Sequence, residues 1–226
     1  MIAGSDLKRR PLVIIAVHNH KGGIGKTTIT AHTGLRADQR GIPSLLVTLD
    51  RQGDLMRWFS DERQLDPSRP IKRGNITALY SPMEQPPASA TSGFPLVVID
   101  TPPEAGIPAI VTPDLWICPV DNRTAIESLA EIVPEMTEKA PCYVVFYGTD
   151  AGGINTQRGL QEATRLIPGV EYHPEIMPHS PAAFRSQAYY RPVWDVPHGK
   201  GTVAHHLMVG LCDAILARAG FPAEKR

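Results

Sequence analysis

The stretch His20-Lys21-Gly22-Gly23-Ile24-Gly25-Lys26-Thr27-Thr28 concentrates the residue types that bind phosphate. Glycines let successive backbone N–H groups turn toward one anion, Lys26 adds a full positive charge, and the Thr27 hydroxyl is a hard oxygen ligand for Mg²⁺. Such a loop works where a strand gives way to a helix, because the first helical turn presents unpaired N–H groups and the positive end of the dipole. The flanks meet that requirement. An apolar run, Leu12-Val13-Ile14-Ile15-Ala16-Val17, precedes the loop, and a segment free of Pro and Gly for several residues follows it. Two carboxylates, Asp50 and Asp100, end two further apolar runs. Phosphoryl transfer to water needs charge neutralisation, a divalent metal and a group that orients the attacking water, and these residues offer a candidate for each role.

The elements that must position these groups alternate in the manner of a parallel sheet covered on both faces. A first helix is expected from Thr27 to Arg40, stopping at Gly41, and Pro43 to Leu49 reads as a buried strand delivering Asp50. Residues 63–95 are rich in Pro and Ser and read as an irregular connection around a short element at Ile76–Tyr80. Leu96-Val97-Val98-Ile99-Asp100 is a central strand, followed by strands at Leu115–Val120, Tyr143–Tyr147 and near Val170–Met177. Helices are expected over Thr124–Lys139, Asn155–Leu166 and Thr202–Ala219, the last docking through Val203, Leu207, Leu211 and Ile215, with Met208 beside them. In open sheets of this kind ligands bind beyond the carboxyl ends of the strands, where the loop lysines, Asp50 and Asp100 converge. At 226 residues the chain suits one α/β domain spanning 1–226, with residues 1–10 as a flexible basic tail and no internal repeat.

The loop departs from the usual G-x-x-x-x-G-K-[ST] pattern: His20 stands where Gly is expected, and a second lysine, Lys21, lies five positions before Lys26. The form K-G-G-x-G-K-T-T resembles the deviant Walker A motif of the ParA/MinD family of ATPases. In that family the first lysine reaches the nucleotide held by a partner subunit. Leu49-Asp50-Arg51-Gln52-Gly53 is similar to the family's switch I segment, D-x-D-P-Q-G, and Val98-Ile99-Asp100-Thr101-Pro102-Pro103 to its Walker B and switch II segment, I-I-D-T-P-P. Cys118-Pro119-Val120 is similar to its next strand, and Met177-Pro178 to the I-P turn that contributes to the adenine pocket.

The resemblance implies a P-loop NTPase fold, a mostly parallel twisted sheet with helices on both faces, and ATP and Mg²⁺ as cofactors. Lys21, Lys26 and Asp50 would be catalytic, Asp50 acting on the attacking water. Gly22, Gly23, Ile24, Gly25, Lys26, Thr27, Thr28 and Pro178 would bind nucleotide, and Thr27 and Asp100 would hold Mg²⁺, Asp100 through a coordinated water. Three departures stand out: Thr48 replaces the first switch I aspartate, Arg51 replaces its proline, and Tyr147 sits where relatives often carry an adenine-reading Asn.

The implied function is that of a small ParA-type partition ATPase without an N-terminal helix-turn-helix domain. ATP would close a homodimer, the dimer would bind DNA nonspecifically, and a ParB-like or other adaptor protein would stimulate hydrolysis. Bulk charge is balanced, 23 basic against 23 acidic residues, so DNA affinity must come from local charge. From residue 180 onward six basic side chains face three acidic ones, and Arg185 lies in a stretch similar to a DNA-contacting region of ParA dimers. Cys118, Cys142 and Cys212 form no C-x-x-C pair and indicate neither a disulfide framework nor zinc, which fits a reducing cytoplasm, with nucleoid association if DNA binding holds. His205 and His206, adjacent on one helix, are expected to face different directions and to hold no metal. Lys8-Arg9-Arg10 before an apolar run imitates a secretion signal, but His18 and Lys21 end the run, and no segment approaches the roughly 20 apolar residues of a membrane span. A MinD-like scaffold ATPase would need a C-terminal amphipathic helix, where this chain has Phe221-Pro222, so no membrane partner is expected. A small-molecule ligase on the same fold is the other reading; an iron–sulfur ATPase would need cluster cysteines near the switch segments, and none lies there.

Overall fold

The computed structural model describes residues 11–60, 66, 69–149 and 154–222, without the side chains of 149, 154–157 and 160. The basic tail expected over residues 1–10 lies outside them.

Short aliphatic runs become strands because both their faces are covered. Strands β1 (Val13–Val17), β2 (Ser44–Thr48), β3 (Ile71–Arg73), β4 (Ile76–Tyr80), β5 (Leu96–Asp100), β6 (Leu115–Val120), β7 (Cys142–Thr149) and β8 (Glu171–Tyr172) form one sheet in the order β3-β4-β2-β5-β1-β6-β7-β8, and β9 (Met177–Pro178) also pairs with β7. Every pairing is parallel except β3 with β4. Successive side chains point to opposite faces, so Ile15, Val17, Leu46 and Val98 enter one core while Ala16, Leu45, Val47, Val97 and Ile99 enter the other.

The first core is roofed by α1 (Lys26–Gln39), α6 (Pro181–Tyr189) and α7 (Val203–Arg218), the second by α4 (Arg123–Lys139) and α5 (Ile154–Leu166). Two single turns, α2 (Ala88–Thr91) and α3 (Ile107–Ile110), flank β5 in sequence. Helices α4, α6 and α7 begin at side-chain caps, Asn122, Ser180 and Thr202, each accepting a backbone N–H. Helix α1 has none, because Gly25 precedes it in a left-handed conformation and leaves its first N–H groups open to the loop. Gly34 brings α1 close to the sheet: a Cβ there would lie 2.4 Å from Leu46 Cδ1. Arg36 clamps α1 to α7 through two bonds to Asp213 at 2.9 and 2.8 Å, and Arg40 adds a third at 3.3 Å.

The expected strand–helix alternation is present, with differences in detail. In residues 63–95 the short element expected at Ile76–Tyr80 is β4, with those bounds, and it extends the parallel sheet; β3, which pairs with it, and α2 are additions to the expected irregular connection. Lys72 and Arg73 of β3 are exposed. The strand expected near Val170–Met177 is two short pieces, β8 and β9, separated by His173–Ile176.

The apolar stripe of α7 is displaced. Val203 is 69% exposed and Leu207 half-buried, while Ala204, Met208, Leu211, Cys212 and Ile215 face the core. A strict four-residue repeat drifts by about 40° per step around a 3.6-residue helix, so its first member leaves the contact. The rings of His205 and His206 do not diverge but stack at 5.2 Å, although no cluster able to hold a metal occurs among the described residues. Helix α6 and the 3-10 turn at Asp54–Trp58 had no signal in the periodicity.

Candidate nucleotide-binding site

The loop after β1 is anchored from below. His18 N–H continues the ladder to Ile117 O at 2.9 Å, and the buried Asn19 side chain donates to Pro119 O and Ala125 O at 3.0 and 3.1 Å while its oxygen accepts Lys21 N–H at 3.1 Å. His18 Nδ1 lies 2.7 Å from Thr101 Oγ1, which itself donates to Val17 O at 2.8 Å. Since the hydroxyl proton is used there, the imidazole donates through Nδ1, which leaves Nε2 as a buried acceptor; burial lowers the His18 pKa to about 3.

Gly23 and Gly25 take positive φ of 75° and 87°. Nothing lies within 4 Å of where a Cβ would stand on Gly22 or Gly23, whereas on Gly25 it would strike the Tyr147 ring at 2.3 Å. The loop is therefore open toward solvent above Gly22 and Gly23 and tight against β7 at Gly25.

Lys26 is 7% exposed and donates to Lys21 O at 2.7 Å. Burial lowers its pKa to about 8, partly opposed by the nearby carboxylates of Asp100 and Asp50. Thr27 Oγ1 lies 3.0 Å from one Asp100 oxygen and 3.2 Å from the other, and Thr48 Oγ1 donates to Asp100 at 3.3 Å. Burial raises the Asp100 pKa to about 7, against the hydrogen bond from Thr27 and the charge of Lys26, which favour the anion. Thr48, standing in place of the expected switch aspartate, thus holds the neighbouring carboxylate instead of adding another. Asp50 is half-buried and closes a turn, accepting Gln52 N–H at 2.9 Å on its side chain and Gly53 N–H at 3.0 Å on its carbonyl.

Asp100 is buried behind Thr27, while Lys26, Thr27 and Asp50 line one cleft of about 640 Å³, together with Gly22, Gly23, Thr28, Pro102, Pro103 and Glu104. Its donors suit a phosphate chain with Mg²⁺: open backbone N–H groups at a helix start, one ammonium, and a hydroxyl beside a carboxylate, both hard oxygen ligands. A second hollow of about 460 Å³ adjoins the loop at Gly23 and Ile24 and is walled by Tyr147, Pro178, Phe184 and Gln187.

The remaining sequence-level candidates fall in three places. Lys21 is not in the phosphate cleft; its Nζ pairs with Asp121 at 2.9 Å, at the mouth of the second hollow. Pro178 is in that hollow. Arg185 is on α6, half-buried, outside both. Asn19, Asp121 and Thr48 were not singled out as functional from the residues. Asp121 had a usable signal, since it follows β6 at the same sheet edge as Asp50 and Asp100.

A parallel sheet with helices on both faces and a glycine loop feeding a helix defines the class of P-loop nucleoside triphosphatases. The chain matches the CobQ/CobB/MinD/ParA nucleotide binding domain over residues 15–193 and belongs to that family. A search of curated protein sequences finds no match. Among solved structures the fold is similar to an ATP complex of McdA from Cyanothece, at 15% identity and a TM-score of 0.73, covering 96% of this chain and 100% of that one. It is also similar to the septum site-determining protein MinD with Mg-ADP from Pyrococcus horikoshii, at 15% identity, TM-score 0.74, and 95% and 100% coverage. Cobyrinic acid a,c-diamide synthase from Mycobacterium smegmatis, with bound ADP and magnesium, aligns at 17% identity, TM-score 0.66, and 96% and 100% coverage.

Proposed function

We propose that the chain is a Mg²⁺-dependent ATPase of the ParA type, closing into a homodimer on ATP, binding DNA without sequence preference, and positioning a cargo under the control of an adaptor protein. The observation that carries this reading is the division of labour between the loop lysines. Lys26 is buried in its own phosphate cleft, while Lys21 is turned out of it and held by Asp121. A lysine held outside its own cradle supports the family reading of one that serves a partner's nucleotide.

Within the cradle, open N–H groups and Lys26 would take the β- and γ-phosphates, Thr27 and Asp100 would hold Mg²⁺, and Asp50 would orient water. The metal, when bound, supplies charge neutralisation to the phosphates. Asp100 must then be ionised, and Thr27, Thr48 and Lys26 are the groups that favour its anion. Pro178 and Tyr147 would border the base, with no amide from Tyr147 to read adenine. Arg185 and the basic surplus beyond residue 180 would supply the DNA contacts.

Sedimentation with and without ATP tests the lysines. Lys26→Ala should lose nucleotide binding, whereas Lys21→Ala should keep it and lose ATP-dependent dimerisation; a Lys21→Ala chain that dimerises like wild type removes the assignment. Asp50→Ala should bind ATP and accumulate as dimer. DNA affinity, read by polarisation on random duplexes across a salt series, should require ATP and fall steeply with salt. An ATP dimer that ignores DNA but sediments with liposomes favours a MinD-like scaffold role, and ADP release that depends on a small-molecule acceptor favours a ligase.

A further inference from the structure

A third cleft, of about 620 Å³, shares Trp58 and Tyr190 with the phosphate cleft, and of the residues given roles above it holds only Arg191, one of the basic surplus beyond residue 180. Three arginines line it, Arg57, Arg73 and Arg191, against one carboxylate, Asp195. They arrive from separate elements: the 3-10 turn, the edge strand β3, and the chain leaving α6. Arg57 lies 3.5 Å from Asp54 and donates to Tyr190 Oη at 3.0 Å, and Arg73 donates to Trp58 O at 3.2 Å. Exposed Arg191 has no side-chain partner among the described residues. Converging guanidinium groups with spare donors match phosphoryl oxygens, and the Trp58, Tyr189 and Tyr190 rings beside them match a planar base.

Tyr190 joins this wall to the phosphate cleft. Tyr190 ends α6 in the left-handed conformation, φ 50° and ψ 43°, where glycine is the unstrained choice. Its side chain lines both the arginine cleft and the phosphate cleft, as does Trp58, and the two rings meet edge to face at 6.3 Å. Trp58 in turn packs against His32, whose Nδ1 bonds Thr28 O at 2.7 Å at the start of α1. A ligand pressing on this wall therefore touches the same side chains that border the phosphate cleft.

We propose that the cleft formed by Arg57, Arg73 and Arg191 with Tyr190 is a second site for a small phosphorylated ligand carrying a planar ring, of the nucleotide class, and that its occupancy is felt at the phosphate cleft through Trp58 and Tyr190. A pocket of this volume is concave and suits a small molecule better than the convex backbone of a duplex. The inference does not depend on the partition role.

Calorimetric titration of Lys26→Ala with ADP, and separately with inorganic tripolyphosphate, isolates this site from the main one. One site should remain, ADP should bind it more tightly than tripolyphosphate because only ADP has a ring, and Arg73→Glu with Arg191→Glu in the same background should weaken it at least tenfold. If the double reversal lowers the melting temperature, Arg191→Ala, exposed and without a side-chain partner, carries the same test. In the otherwise wild-type chain, Tyr190→Gly relieves the left-handed strain, so it should fold; it should nevertheless abolish any effect of second-site occupancy on fluorescent ATP analogue binding. No binding by Lys26→Ala at millimolar ADP, binding indifferent to the arginine reversals, or arginine-dependent binding shown only by a 20-base-pair duplex would each overturn the proposal. Loss of nucleotide binding at the main cleft in wild type would instead count against the ATPase reading and leave this one standing.

Discussion

Asp100 shows how a single buried carboxylate ties the metal question to stability. Its native pKa of about 7 lies above the ordinary 3.8, so between those values the folded chain holds a proton the unfolded chain has released. From this group alone, stability should therefore fall as pH rises from about 4 to about 7. Asp100→Asn keeps an oxygen for Thr27 and Thr48 and removes the charge, so urea unfolding should show a gain of roughly 1–3 kcal/mol at pH 7.5 and little change at pH 4. The same variant should lose the Mg²⁺ dependence of ATP binding, and in the wild type that dependence should weaken below pH 7 as the proton competes with the metal. Asp121→Asn is the complementary test. The pair it breaks is about three-quarters buried on both sides and worth roughly 0.5–1 kcal/mol in each protomer, so with two pairs released per dimer ATP-dependent dimerisation should appear at protein concentrations lower by about five- to thirtyfold in sedimentation. As candidates, Lys21, Lys26 and Asp100 stand out in the sequence because glycine spacing and strand ends point to them. Asp121 and Thr48 act through partners 100 and 52 positions away, and such pairing has no trace in a linear pattern.

At the scale of elements, the join between the phosphate loop and β7 is the tightest constraint. Gly25 needs both its left-handed φ of 87° and the absence of a Cβ that would sit 2.3 Å from Tyr147. Gly25→Ala should cost roughly 2–4 kcal/mol in chemical unfolding and abolish nucleotide binding. Adding Tyr147→Ala should return only the steric part, leaving roughly 1 kcal/mol of backbone strain; full recovery would mean that the ring alone demands the glycine. The long elements were readable because aliphatic runs and caps are local signals. Of the β3–β4 hairpin only the short element at Ile76–Tyr80 was: β3 had no signal, and the place of β4 in the sheet depends on β2 beside it, in register from Ser44 opposite Ile76 to Thr48 opposite Tyr80. Helix α6 was hidden by its composition, with Phe184 and Tyr189 exposed and only Ala182 and Ser186 buried, so no apolar stripe announced it.

For the molecule as a whole, the clamp between α1 and α7 and two buried histidines govern how the layers stay together. Asp213 receives both Arg36 and Arg40, and its side chain is about three-quarters buried, so Asp213→Ala leaves two guanidinium groups short of acceptors. A loss of roughly 1–3 kcal/mol is expected in thermal unfolding. His18 and His32 are both held neutral by burial, with pKa values of about 3 and 4 against an ordinary 6.5. In that window the unfolded chain binds more protons, so the stability these groups confer is present above about pH 6.5 and lost progressively toward pH 4, opposite in sign to Asp100. His32→Gln should flatten the acid limb of the stability profile. The layered architecture itself was legible, because alternating strand and helix signals admit few other arrangements.

The edges of the sheet decide what kind of assembly is open to this chain. On one side β3 offers only Ile71-Lys72-Arg73, with both cations exposed, and on the other β8 is the pair Glu171-Tyr172. Among the described residues, neither border presents a flat run of free amides long enough to template another strand, and like charges would meet across Lys72 and Arg73. Along these described edges, copies of the chain therefore gain little from stacking side by side into an endless ribbon. Self-association by strand addition is thus disfavoured at both described edges, and contact between copies is directed to the helix-covered faces and the loops at the strand ends.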